Sequence, residues 1–127
     1  MDPPAVGETF TTARTFTTED VRRFADVTND TQPIHTEPDE DGRLVVHGLL
    51  TGSLLTDIGG DLEVLARTME FEFRRPVRTG ERITCTWTVD SVEEREDRYT
   101  LGNDVVLADE DRETVATARV EGVVWKE

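Results

Sequence analysis

Residues Thr28–Leu55 read TNDTQPIHTEPDEDGRLVVHGLLTGSLL, and the change of character along this stretch decides the fold. Polar, turn-forming residues come first, around Pro33, Pro38 and an acidic run from Glu37 to Asp41 that closes at Gly42. A short apolar run, Leu44-Val45-Val46, follows with the spacing of a strand. Then His47-Gly48 opens LLTGSLLTDIG, which is apolar nearly all round and predicts a helix from Gly48 to about Gly59, buried on most sides. Both histidines of the chain, His35 and His47, fall inside the stretch. A surface loop feeding a buried helix of small residues is a place to hold a carbonyl and move protons beside it.

Upstream, Glu8–Phe16 is rich in threonine and predicts a first strand. Residues 1–6 are proline-rich and predict a short arm. Thr17 stands where a helix N-cap is wanted, with Glu19 and Asp20 in the first turn. Val21, Phe24, Ala25 and Thr28 recur on one face, and the helix is expected to stop near Asn29-Asp30. Downstream, residues 67–77, 82–92, 99–107 and 114–125 alternate with period two and predict four strands. Turns are expected at Thr79-Gly80, Glu94–Asp97 and Ala108–Arg112, short enough for antiparallel neighbours. One domain over residues 1–127 accounts for every piece: an α+β hotdog fold, a curved antiparallel sheet wrapped around one buried central helix.

Composition narrows the setting. The 127 residues carry 28 Asp and Glu against 14 Lys and Arg, a formal charge of −14. That excess argues against nucleic acid and against an anionic membrane surface as partners. With Lys126 the sole lysine, the charge reads as a surface adaptation to a salt-rich, halophilic cytoplasm. Cys85 is alone, so no intrachain disulfide forms, and its strand-like flanks make it a buried small hydrophobe. No signal peptide and no apolar run of membrane-spanning length are present, and the expected location is the cytoplasm. No GxGxxG, Walker-type loop or CxxC supports nucleotide-dependent chemistry.

The candidate chemistry lies in the loop. Asp30 and His35 are five positions apart with Pro33 stiffening the path, and a carboxylate and an imidazole meeting at one water form an acid–base pair. An aspartate capping a turn beside an ordinary half-buried histidine is the alternative. Gly48, at the start of the buried helix, can present an N–H to a carbonyl oxygen gaining charge, or serve tight packing alone. His35 and His47 lie twelve positions apart, which is poor spacing for a metal, and the acidic run does not match a calcium loop. Metal binding is a weak signal on this spacing.

Phe24-Ala25-Asp26-Val27-Thr28-Asn29-Asp30-Thr31-Gln32-Pro33-Ile34-His35, with Val46-His47-Gly48-Leu49-Leu50-Thr51-Gly52-Ser53 after it, resembles the MaoC-like R-specific enoyl-CoA hydratases. Phe71–Glu81 resembles that family's later strand segment. The resemblance implies a homodimer, or an assembly of dimers, binding an acyl-CoA thioester at the subunit junction. It implies syn hydration of a trans-2-enoyl-CoA to the (R)-3-hydroxyacyl-CoA, with no metal or organic cofactor. On this resemblance Asp30 and His35 are the catalytic pair, Gly48 the donor to the thioester oxygen, and Ser53 a residue that helps order the loop. Gln32 stands where the family usually has Asn, and the His35-to-His47 spacing is short for the family. Arg74, Arg75, Arg78 and Arg82 form the densest basic group, able to meet the diphosphate of coenzyme A or to pair with nearby acids.

Three rival readings stand beside the hydratase. One is a dehydratase acting on a carrier-protein thioester or a branched short acyl-CoA. A thioesterase would need a carboxylate on the central helix, where Asp57 is the candidate. The third is a non-catalytic acyl-CoA-binding module.

Overall fold

The Thr17 hydroxyl accepts the N–H of Asp20 at 3.1 Å, and the Asp20 carboxylate accepts the N–H of Thr17 at 3.0 Å. This reciprocal box starts the first helix where the sequence places it. Asn29 ends that helix in the left-handed region, φ 62°, a conformation Asn tolerates better than most residues. The computed structural model describes residues 2–127, so Met1 of the expected arm lies outside them. Within the arm Pro4 is buried, and the Ala5 N–H donates to Glu8 Oε1 at 2.8 Å.

In chain order the elements are β1 (Thr9–Thr15), α1 (Thr18–Thr28), α2 (Pro33–Thr36), β2 (Val45–Val46), α3 (Gly48–Gly52), α4 (Leu54–Asp61), β3 (Leu65–Phe73), β4 (Val77–Arg78), β5 (Arg82–Glu94), β6 (Arg98–Ala108) and β7 (Thr114–Trp125). Five strands make one antiparallel sheet in the order β1-β5-β6-β7-β3, while β2 and β4 pair separately. The alternation in β5 puts Ile83, Cys85, Trp87 and Val89 on the buried face, and β6 adds Leu101, Val105 and Leu107. Buried among them, Asn103 accepts the Trp87 indole N–H at 3.0 Å and donates to Val120 O at 3.2 Å, so its amide is satisfied.

Several expectations need correction. The expected long central helix is two short ones, and the sheet is open, with β1 and β3 as edges, instead of wrapping around a helix. The interruption falls at Ser53. Its hydroxyl donates to Leu50 O at 2.5 Å and its N–H to the same oxygen at 3.1 Å, replacing the regular ladder with a tighter turn. Nor is this stretch buried on most sides: Gly48, Leu49, Thr56, Asp57 and Gly60 are exposed, Leu49 by 65%. The fold is a hotdog-like α+β arrangement of short helices on an antiparallel sheet.

The strand before the Thr79-Gly80 turn does not neighbour the strand after it. β3 pairs with β7 at one edge, and residues 74–81 carry the chain across to β5 near the other, pairing on the way through β4. The turns after β5 and β6 do join antiparallel neighbours. Finally, the loop expected over residues 30–43 contains the helical turn α2, opened by Pro33 at its first position. No described helix is long and apolar enough to cross a membrane.

Candidate functional site

The helical turn α2 lifts His35 out of the loop and buries it, its side chain 6% exposed. Its Nδ1 lies 2.7 Å from Val45 O on β2. A carbonyl only accepts, so the ring proton sits on Nδ1 and the Nε2 lone pair points the other way. It points at Asp30, whose Oδ2 is 3.7 Å from Nε2. That gap is too long for a direct hydrogen bond and short enough for one oxygen atom to reach both groups.

Asp30 follows directly on the left-handed Asn29 and is 42% exposed at its side chain. Its other oxygen, Oδ1, accepts from Gln32 Nε2 at 2.9 Å, and its N–H donates to Thr28 Oγ1 at 3.2 Å. Gln32 thus pins the carboxylate with Oδ2 facing His35. Behind the pair lies His47, 3% exposed and at the N-cap of α3. Its ring stacks on that of His35, centroids 3.7 Å apart and planes 17° apart, and Phe24 meets it edge-on at 5.0 Å. His47 Nε2 donates to the backbone O of Asp30 at 3.0 Å, and its buried Nδ1 has no partner.

Asp30, His35 and His47 offer ligand atoms within 4.8 Å of one another, a distance that would suit a metal. Each ring donates one N–H to a backbone carbonyl, as metal-binding histidines also do, and keeps its other nitrogen free. The free nitrogen beside Asp30 is His35 Nε2, 3.7 Å from Oδ2, which suits it to exchange a proton with a water bound by both groups.

The pair opens into a cleft of about 460 Å³, whose walls include Gly48, Thr51, Phe73, Arg74, Arg75 and Val115. Gly48 begins α3, and its N–H is among those a helix start leaves unpaired. With α3 only five residues long, any stabilisation comes from that N–H itself, since the dipole of a long helix is missing. A larger hollow of about 590 Å³ lies among Arg14, Asp20, Phe24, Leu50, Ser53 and Asp57. It holds neither Asp30 nor His35, and Arg14 and Asp20 neutralise each other at 2.8 Å, so size alone does not make it the site.

Other sequence candidates scatter. Ser53 bonds within its own helix and does not reach the loop. Asp57 Oδ2 accepts from Thr12 Oγ1 at 2.6 Å, turned towards β1 and away from the cleft, which removes the support for a thioesterase. Arg75 lines the cleft, but its guanidinium binds Glu81 at 2.9 Å, Asp109 at 2.5 Å and Pro76 O at 2.7 Å. Those carboxylates hold its pKa above the ordinary arginine value. Among the described residues the Arg74 side chain pairs with Glu72 at 3.1 Å and stays half exposed at the rim. Arg78 lies outside the cleft lining, 3.8 Å from Asp39. Sequence reasoning missed the buried Thr51 and the placement of His47 against His35; the His-Gly pair before a helix was the available signal.

Residues 3–109 match the family described as MaoC like domain. The chain belongs to that family. Among curated proteins this MaoC-like chain is 30% identical to a UPF0336 protein from Streptomyces avermitilis, over 79% of this chain and 77% of that one. Among solved structures, a protein from Archaeoglobus fulgidus is 28% identical with a TM-score of 0.83, covering 98% of this chain and 81% of its own. An (R)-hydratase from A. caviae involved in PHA biosynthesis is 23% identical with a TM-score of 0.80, covering 94% and 96%. That last likeness is one of fold.

Proposed function

We propose that this MaoC-like protein hydrates a trans-2-enoyl-CoA to the (R)-3-hydroxyacyl-CoA, and reverses that reaction. The observation that carries the reading is the His35 Nε2 lone pair facing Asp30 Oδ2 across 3.7 Å, inside a cleft that Gly48 borders. Water held by both groups gives a proton to His35 Nε2 while its oxygen adds to C3 of the enoyl group. Charge moves to the thioester oxygen, where the Gly48 N–H can donate to it. The proton then passes from the His35–Asp30 pair to C2 on the same face, so H and OH add syn and the site returns to its starting state. Arg74, at the rim with one exposed carboxylate partner, is the freer of the arginines to meet a phosphate of coenzyme A.

A second copy of the chain completes this reading. β3 is an edge strand with unpaired backbone groups, and Leu65, Met69 and Phe73 on it are 61%, 45% and 47% exposed. Phe73 also lines the cleft. A homodimer pairing along β3 would cover these residues and close the rim over the thioester.

The test follows crotonyl-CoA hydration at the enoyl-thioester absorbance, in high salt, for wild type, Asp30→Asn and His35→Gln. Wild type should form the R product, and each variant should lose about 10²–10⁴-fold in rate. A folded wild type that is inert on crotonyl-CoA and on longer or branched enoyl-CoAs overturns the proposal.

A further inference from the structure

One side chain outside the reacting pair touches both of its members. His47 takes the backbone oxygen of Asp30 with Nε2–H at 3.0 Å, and lays its ring on that of His35 at 3.7 Å and 17°. It is also the residue from which α3 starts, and the Thr51 N–H returns to its carbonyl at 3.0 Å. The His35 ring has one hydrogen bond, from Nδ1–H to Val45 O, which fixes one edge of the ring, and the stack on His47 supports its face. Asp30 stands on an exposed loop just past a helix end, where backbone position is poorly fixed by local structure alone.

The geometry points to His47 as a positioning residue for the proposed hydration: it sets the Asp30-to-His35 separation and the plane of the His35 ring. The role rests on the hydratase reading for its effect on rate, but not for its effect on His35. The ring of His47 carries its proton on Nε2, because Asp30 O can only accept, and its buried Nδ1 is left without a donor. An unpartnered nitrogen in a buried ring has a cost that a purely packing residue such as Phe or Leu would avoid. The contact to Asp30 O, lost with either of those residues, is the compensating feature.

Two histidines in the chain make the test clean. Ring ¹⁵N spectra of the wild type should show one histidine fixed as the Nδ1–H form, His35, and one fixed as the Nε2–H form, His47. In His47→Gln only His35 remains; the amide can still donate to Asp30 O but cannot stack. In His47→Phe the stack is kept and the donor lost. Each variant should lower kcat about 10–100-fold with KM changed less than about threefold, and His35 should become a mixture of tautomers in His47→Gln. Wild-type spectra with His47 protonated at Nδ1, or with either ring averaging between forms, overturn the inference even if both variants fail to fold. A folded His47→Gln with wild-type kcat, or with kcat lowered but the His35 spectrum unchanged, overturns it as well. Should the wild type hydrate no enoyl-CoA, the spectra still decide the positioning of His35 independently.

Discussion

The ring of Phe71 stands where Gly52 would carry a β-carbon, 2.9 Å from that position, with Phe73 stacked on it at 5.5 Å and lying 3.2 Å from the same position on Gly48. Glycines four apart give α3 a bare face, and two aromatic rings of the edge strand β3 lie on it. Gly52→Ala should therefore destabilise the protein by about 1–3 kcal/mol, since the Phe71 ring is backed by the core and by Phe73. Gly60→Ala serves as the control. Nothing lies within 4 Å of its β-carbon position, so it should be neutral or stabilising by up to about 1 kcal/mol. Urea unfolding of the two variants beside wild type reads both, and equal stability for all three would count against the close packing of α3 on β3.

Acid should unfold the protein partly through Arg75. Its hydrogen bond lowers the pKa of Asp109, assisted by the N–H groups of Glu113 and Asp111. For Glu81, burial pushes the pKa up, but bonds from Arg75 and the Arg78 N–H outweigh it and the net direction is down. Groups with folded pKa values below their unfolded ones stabilise fully above the unfolded value and lose that contribution as the pH falls through the folded one. Stability should decline once the pH drops below about 4.5, the ordinary value for Glu81. Arg75→Gln should be less stable at neutral pH and should flatten that acid limb. An acid limb of unchanged steepness in the variant would show that the Arg75 cluster does not set it.

Cys85 should be inert in the folded protein. Burial, with Asp57 adding a smaller push, raises its thiol pKa to about 12, so almost no thiolate exists at pH 8 and reagent cannot reach it. Labelling by a disulfide reagent should proceed only as fast as the protein opens, and should become immediate in denaturant. Fast stoichiometric labelling under native conditions would place the thiol elsewhere than against α4.

Salt should stabilise the fold. A net charge of −14 on 127 residues leaves many carboxylates near one another, and at low ionic strength their repulsion acts over ~30 Å, falling to ~3 Å at 1 M. The melting temperature should rise steadily from low to molar sodium chloride. A melting temperature independent of salt would remove the halophilic reading, while leaving the hydratase proposal untouched.

Local chemistry made much of this molecule legible in advance. The Thr17 box needs only residues three apart, and the alternation of Ile83, Cys85, Trp87 and Val89 needs only the period of a strand, so α1, β5, β6 and β7 fall close to where the sequence places them. Asp30 and His35 could be suspected from their spacing because a loop with a proline lets residues five apart meet, whereas Gln32 was singled out only by the family resemblance. What distance in the chain separates, sequence could not arrange. The His35 tautomer depends on Val45, the place of Asp30 on His47, and the engagement of Arg75 on Asp109, 34 residues away.

By itself the sequence determined the alternating strands, the capped first helix, the charged surface and the presence of an Asp and His within one loop. These follow from propensity, period and short-range hydrogen bonding. Tertiary structure alone decided that the central apolar stretch is two short helices broken at Ser53, that β3 lies at the far edge of an open sheet, and that His47 stacks on His35. Strand order and ring stacking depend on which distant surfaces bury one another, and an apolar residue records only that it can be buried, not against what.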